Sequence, residues 1–119
     1  MPRVILVEDD TLVRTLLMRR MTQAGWSVVA LKDGRDIQAI INAQQIDLLV
    51  VDLGLPYMDG LALLESIRAR GVTIPALVIS GYELPHLQDT VRSAGAHDML
   101  QKPFDQEELL VRMRRLLAA

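Results

Sequence analysis

Five side chains with reactive groups stand where short apolar runs of this chain end. Glu8 and Asp9 follow Val4-Ile5-Leu6-Val7, and Asp52 follows Leu48-Leu49-Val50-Val51. Ser80 follows Ala76-Leu77-Val78-Ile79, and Lys102 follows Met99-Leu100-Gln101. If these runs are parallel strands of one sheet, all of these groups land on its carboxyl edge, where open α/β sheets place their chemistry. Three carboxylates, a hydroxyl and an ammonium would then share one pocket. Two carboxylates ~4 Å apart repel by about 4 kcal/mol at an effective dielectric near 20, so three need a proton or a cation. Oxygen ligands without Cys or His favour Mg²⁺, or Mn²⁺, with waters completing an octahedron.

Each residue also has a plainer reading. Glu8, Asp9 and Asp10 suit the positive end of a helix that follows them, with Asp10 as its cap. Asp52, Ser80 and Lys102 could each be an ordinary turn residue. Their ordered convergence on one edge separates the two readings. Given that convergence, Asp52 can act as a nucleophile and accept a phosphoryl group as an acyl phosphate. A divalent cation and Lys102 would meet the remaining negative charge. Pro103 follows Lys102, and a cis bond between them is one way to turn the ammonium back into the pocket.

The elements that position these groups alternate regularly. Val13, Leu16, Leu17, Met21 and Ala24 recur at helical spacing and predict a first helix, stopped by Gly25. Ser27-Val28-Val29-Ala30-Leu31 reads as a strand, and Asp33 as the cap of a helix that buries Ile37, Ile40 and Ile41. After Asp52 a loop holding Gly54, Pro56, Asp59 and Gly60 leads to a helix with Leu61, Leu64 and Ile67 inward. Gly71 and Pro75 bracket the next turn. A weaker helix has Leu84, Leu87, Val91 and Ala94 in phase and ends at Gly95. Asp105 caps a last helix carrying Leu109, Leu110, Met113, Leu116 and Leu117. Five β-α units whose strands are apolar without alternation predict an α/β fold, a doubly wound three-layer sandwich with a parallel five-stranded sheet.

At 119 residues the chain is one domain, residues 1–119, with a core of its own. Half of its residues are hydrophobic, which excludes disorder, yet no apolar stretch reaches the roughly 18 residues of a membrane span. The absence of cysteine excludes disulfides and thiolate metal sites. Met1-Pro2-Arg3 leads directly into a strand and then acids, unlike a secretory leader, so a cytoplasmic address is expected. A net charge of −2 gives no broad attraction to nucleic acid.

With these motifs in order, the chain resembles the receiver domains of two-component response regulators over essentially its whole length. The resemblance rests on Val4-Ile5-Leu6-Val7-Glu8-Asp9-Asp10, Asp52-Leu53-Gly54-Leu55-Pro56-Tyr57-Met58-Asp59-Gly60, Ile79-Ser80-Gly81 and Lys102-Pro103-Phe104. It implies a flavodoxin-like (βα)5 fold with strand order 2-1-3-4-5, whose switch point lies between the first and third strands. It implies that Asp52 is the phosphoacceptor, charged by a histidine kinase or histidine phosphotransfer domain. Glu8, Asp9, Asp52 and the backbone carbonyl of Gly54 would hold Mg²⁺. Ser80 would move toward the phosphoryl group and Lys102 would pair with it. The domain would catalyse its own phosphorylation and dephosphorylation while acting as a switch. Its fourth helix, fifth strand and fifth helix would dock a second receiver or an effector domain. The family commonly places an aromatic switch residue where this chain has Met99, so Ser80 and Met99 are expected to give a partial response. Tyr82 occupies a family position that modulates phosphate lifetime.

The remaining residues read as structural. Trp26 is expected as a boundary residue near the opposite, amino-terminal edge of the sheet, and His86 and His97 on the surface. Arg112, Arg114 and Arg115 are expected as solvated cations at a helix end. A flavin protein of this fold is disfavoured because Glu8-Asp9-Asp10 repels phosphate and aromatics are scarce. An aspartyl-phosphate phosphohydrolase would carry its nucleophile where Glu8 stands. A scaffold independent of phosphorylation would not need the acid, hydroxyl and lysine set. No effector is expected within these residues, which leaves a stand-alone receiver or a piece of a transcriptional regulator or hybrid histidine kinase.

Overall fold

A computed structural model describes residues 1–83 and 85–118. Its elements run β1 (Arg3–Val7), α1 (Thr11–Gln23), β2 (Ser27–Leu31), α2 (Ile37–Ala43), β3 (Leu48–Asp52), α3 (Gly60–Ala69), β4 (Ala76–Ser80), α4 (Leu87–Ser93), β5 (Asp98–Gln101) and α5 (Gln106–Ala118). The five strands are parallel in the order β2-β1-β3-β4-β5.

Alternate residues of the strands feed two separate cores. Ile5, Val7, Leu49, Val51, Ala76 and Val78 pack with Ile37 of α2, Leu64 and Ile67 of α3, and Val91 of α4. Val4, Leu6, Leu48, Val50, Leu77 and Ile79 pack instead with Leu17 and Met21 of α1 and Leu109, Leu110 and Met113 of α5. Burial on both faces is why these strands are apolar without alternation. It also sets the direction of the residues at the strand ends, because side chains alternate along a strand. Glu8 and Asp52 have the parity of the α1–α5 face, and Ser80 that of the other.

The helix ends follow local chemistry. Asp10 caps α1 by accepting from the Val13 amide at 3.0 Å, and Asp59 caps α3 by accepting from Ala62 at 2.8 Å. Asp105 accepts from the Glu107 amide at 2.7 Å. Gly25 and Gly95 leave α1 and α4 in the left-handed region at φ 94° and 109°, where a side chain would be strained. The Lys102–Pro103 bond is cis.

Several expectations are corrected. Asp33 does not cap α2; that position falls to Asp36, and Asp33 instead accepts from the amide and guanidinium of Arg35. Leu16 is 41% exposed, one step off the buried stripe of Leu17 and Met21. Trp26 is buried rather than at the boundary, with the Arg114 guanidinium 6.0 Å from its ring centre. Arg112 is half-buried and paired with Asp98 at 2.9 Å. His97 is exposed, as expected, and its Nδ1 accepts from the Ala76 amide at 3.1 Å. Helix α4 begins at Leu87, and Leu84 lies outside the described residues. Among the described residues no helix is long and apolar enough to cross a membrane.

Candidate functional site

The site is built on the ends of adjacent strands. Val7 of β1 pairs with Val51 of β3, so Glu8 and Asp52 are the next residues out on strands about 4.8 Å apart. The ladder continues past the strands and holds both in place, since the Glu8 amide donates to Leu31 O at 2.9 Å and the Leu53 amide to Ile79 O at 3.0 Å. Glu8 is fully buried and Asp52 almost so, whereas Asp9 is exposed at the rim. The carboxylate oxygens of Glu8, Asp9 and Asp52 lie within 4.8 Å of one another.

Lys102 reaches this cluster from β5. Its amide donates to Ser80 O at 2.7 Å, and its Nζ sits 2.7 Å from Glu8 Oε1 and 2.8 Å from Asp52 Oδ2. The other Asp52 oxygen, Oδ1, accepts from the Gly54 amide at 3.0 Å. One ammonium therefore serves two buried carboxylates. Burial and the hydrogen-bonded Asp52 carboxylate push Glu8 up to about 7 from an ordinary 4.5, against the pull of Lys102. Burial acts on Asp52 in the same direction, but its hydrogen bonds to Glu8, Lys102 and the Gly54 amide outweigh that and hold it below the usual value. Burial works against the charge on Lys102, and the two carboxylates overcome it and raise its pKa. The opposed directions make Asp52 the stronger acid of the pair and Glu8 the one that takes up a proton first as pH falls.

Ser80 is fully buried at the end of β4, but its Oγ accepts from the Tyr82 amide at 2.9 Å rather than joining the acids. Met99 is half-buried in β5, paired with Val78 and packed on the core beneath α2, α3 and α4. A Cβ on Gly54 would stand 3.7 Å from the Tyr82 hydroxyl and 3.8 Å from Asp52 Oδ1. The Tyr82 hydroxyl and Gly54 thus meet at the mouth above Asp52.

Two features were absent from the sequence reading. Arg14, one turn into α1, donates from Nη1 to the carbonyl of Glu8 at 2.9 Å and tethers the acidic segment. Gly60 begins α3 against the backbone of Asp52 and Leu53, so closely that a Cβ there would overlap both. The Gly-rich loop after β3 was the signal available for the second; nothing local marks Arg14.

A family model for the response regulator receiver domain matches residues 4–114. The chain belongs to that family. It is 38% identical over 115 residues to a response regulator of Mycolicibacterium vanbaalenii, MprA, covering 97% of this chain and 50% of that protein. It is also 38% identical over 117 residues to the virulence transcriptional regulatory protein PhoP of Salmonella typhimurium, covering 98% of this chain and 52% of PhoP. The chain thus spans about half the length of the curated relatives it matches. Among solved structures, the receiver domain of Francisella response regulator 1452 superposes with a TM-score of 0.93 at 26% identity, covering 99% of this chain and 98% of that one. A putative response regulator of Chloroflexus aurantiacus gives 0.90 at 30% identity, with 100% of each chain covered. This receiver domain therefore has the flavodoxin-like fold and strand order that the resemblance implied.

Proposed function

We propose that this receiver domain, residues 1–119, is a phosphoacceptor switch in which Asp52 is the reactive group. The observation that carries the reading is the Asp52 carboxylate itself. It is buried at a strand end and held ionised by Lys102 Nζ at 2.8 Å and the Gly54 amide at 3.0 Å. An ionised carboxylate fixed in position is a competent nucleophile toward phosphorus. An Asp52 oxygen forms the new bond to phosphorus as the P–N bond of a phosphorylated histidine breaks. The imidazole, protonated on its other nitrogen, leaves neutral. The donor is a histidine kinase or a histidine phosphotransfer domain. Lys102 then pairs with a phosphoryl oxygen, and Ser80 Oγ turns to donate its hydroxyl hydrogen to another.

The donor set fits a hard divalent cation. Glu8, Asp9 and Asp52 offer oxygens within 4.8 Å, and a single ammonium, that of Lys102, faces Glu8 and Asp52. These residues with the Gly54 carbonyl would hold Mg²⁺, or Mn²⁺, which when bound supplies positive charge toward the transferred group. The domain promotes its own labelling and loss of label and turns over no phosphate ester. Acetyl phosphate with Mg²⁺ should label Asp52 as a base-labile acyl phosphate, and Asp52→Asn should abolish that label without unfolding the chain. Labelling that persists elsewhere, or turnover of a free phosphate ester, would refute the assignment.

The output face is α4, β5 and α5, where a second receiver or an effector domain would dock. The likeness to a transcriptional regulatory protein points to transcription as the output of a longer, cytoplasmic protein. With Met99 in place of an aromatic ring, the shift on phosphorylation is partial. Amide hydrogen exchange with beryllofluoride, a mimic of the phosphoryl group, should show graded protection changes across 82–101. Changes confined to the loops around Asp52 would place the output on another face.

A further inference from the structure

Between α2 and α3, in the helical layer opposite α1 and α5, lies a cleft of about 310 Å³. That is the low end of the range for small-molecule sites, room for a single substituted ring. Buried Ile37, Leu63 and Ile67 give it an apolar floor. Its rim carries the guanidinium groups of Arg35 and Arg70, and no acidic side chain lines it, although the chain as a whole has a net charge of −2.

The two cations differ. Arg35 is already engaged, with Nε and Nη2 at 3.2 and 3.1 Å from the Asp33 carboxylate and its guanidinium 4.0 Å from the centre of the Tyr57 ring. Tyr57 stands in the left-handed region at φ 68°, an arrangement that needs compensation elsewhere. Arg35 and Tyr57 therefore stack as one wall of the cleft. Arg70 is exposed and has no ion-pair partner among the described residues. It is the cation left for a ligand. Gln38, also in the wall, donates to Asn42 at 3.0 Å.

We propose that this cleft binds a small planar organic acid, with its ring on the Ile37, Leu63 and Ile67 floor and its carboxylate on Arg70. The site shares no residue with the Asp52 cluster, so it stands or falls apart from the phosphoacceptor reading.

The probe is para-hydroxybenzoate, titrated into the isotope-labelled chain and followed by amide chemical shifts. Saturable shifts are expected in residues 34–42 and 57–70. The neutral para-hydroxybenzamide should bind about tenfold more weakly, as loss of a charge-assisted hydrogen bond implies, and Arg70→Gln should lose the same factor for the acid. Ser66→Leu, which fills the cleft from its other wall, should abolish the shifts. The Arg70 side chain makes no hydrogen bond among the described residues, so Arg70→Gln should keep the parent circular dichroism. No saturation up to roughly tens of millimolar, a limit at which affinity is only a few kcal/mol, would overturn the proposal. Equal binding of acid and amide, or binding untouched by both variants, would overturn it too. An acidic peptide that binds more tightly than the small acid would assign the cleft to a protein partner instead.

Discussion

Replacing Gly60 with alanine probes the attachment of α3 to the strand that carries Asp52. A Cβ at residue 60 would fall inside the closest approach to the Asp52 carbonyl oxygen, 2.9 Å from that carbonyl's carbon and 2.9 Å from Leu53 Cα. These are backbone atoms and cannot swing aside as the tip of a side chain can. Restoring an ordinary carbon–oxygen separation of ~3.3 Å or more requires the start of α3 to back away by about 1 Å. That stretches the bond from the Gly60 amide to Leu53 O, now 3.0 Å. Overpacking of this kind costs about 1–3 kcal/mol and the weakened hydrogen bond about 1. Alanine returns about 1 kcal/mol through its better helix propensity. The net loss is roughly 2 kcal/mol, or about 8 °C of melting temperature for a chain of this size. Because Asp52 shares the displaced backbone, labelling by acetyl phosphate should also slow, by up to about 100-fold for a misplacement near 1 Å. Thermal and urea melts of Gly60→Ala are best run beside Gly81→Ala, where a Cβ meets nothing within 4 Å. An unchanged or higher midpoint for Gly60→Ala would refute the close approach.

Two further outcomes follow from the acid cluster. Glu8 titrates near 7 in the folded chain and near 4.5 when free, so its contribution to stability is fully present below about 4.5 and is lost as pH rises to about 7. That amounts to about 3 kcal/mol, and Glu8→Gln should remove the slope in metal-free urea melts; an identical slope in the variant would disprove the assignment. Asp52 is depressed instead, and its own loss falls at acid pH below this window. Millimolar Mg²⁺ should raise the melting midpoint, by about 2.7 kcal/mol of stability at 100 times its dissociation constant. Asp9→Ala should blunt that rise, and a parent midpoint that ignores Mg²⁺ would remove the metal site.

Much of this was legible because it is local or periodic. Uniformly apolar strands marked a sheet covered on both faces, and each reactive group stood at a strand end, so one topology brought Glu8, Asp52 and Lys102 together. Asp10 and Asp105 were recognisable as caps because the groups they bond lie two or three residues away. Long-range side-chain pairing leaves no such period. Arg68 donates to the carbonyl of Gly95, 27 residues on, at 2.9 and 3.1 Å, and also to Val72 at 2.9 Å, joining α3 to the end of α4. Nothing near Arg68 announces this. Asp33 was misjudged because an acid ahead of a helix fits a cap, while Arg35, two residues on, competes for the same oxygens. The Ser80 hydroxyl is likewise a matter of rotamer, and composition cannot say that it bonds Tyr82 N.

The position of Trp26 has a practical consequence. It is the only tryptophan in the chain, and it is buried just before β2, at the amino end of the strands. Strands of five residues put roughly 16 Å between that end and the carboxyl edge. Its emission therefore senses loss of the core and is blind to events at Asp52. The hydroxyl of Tyr82, beside Gly54, is the chromophore that looks onto the acids. A fluorescence signal in this protein thus divides by ring type once Tyr57, the other tyrosine, is replaced by phenylalanine: indole for integrity of the fold, phenol for occupancy of the pocket.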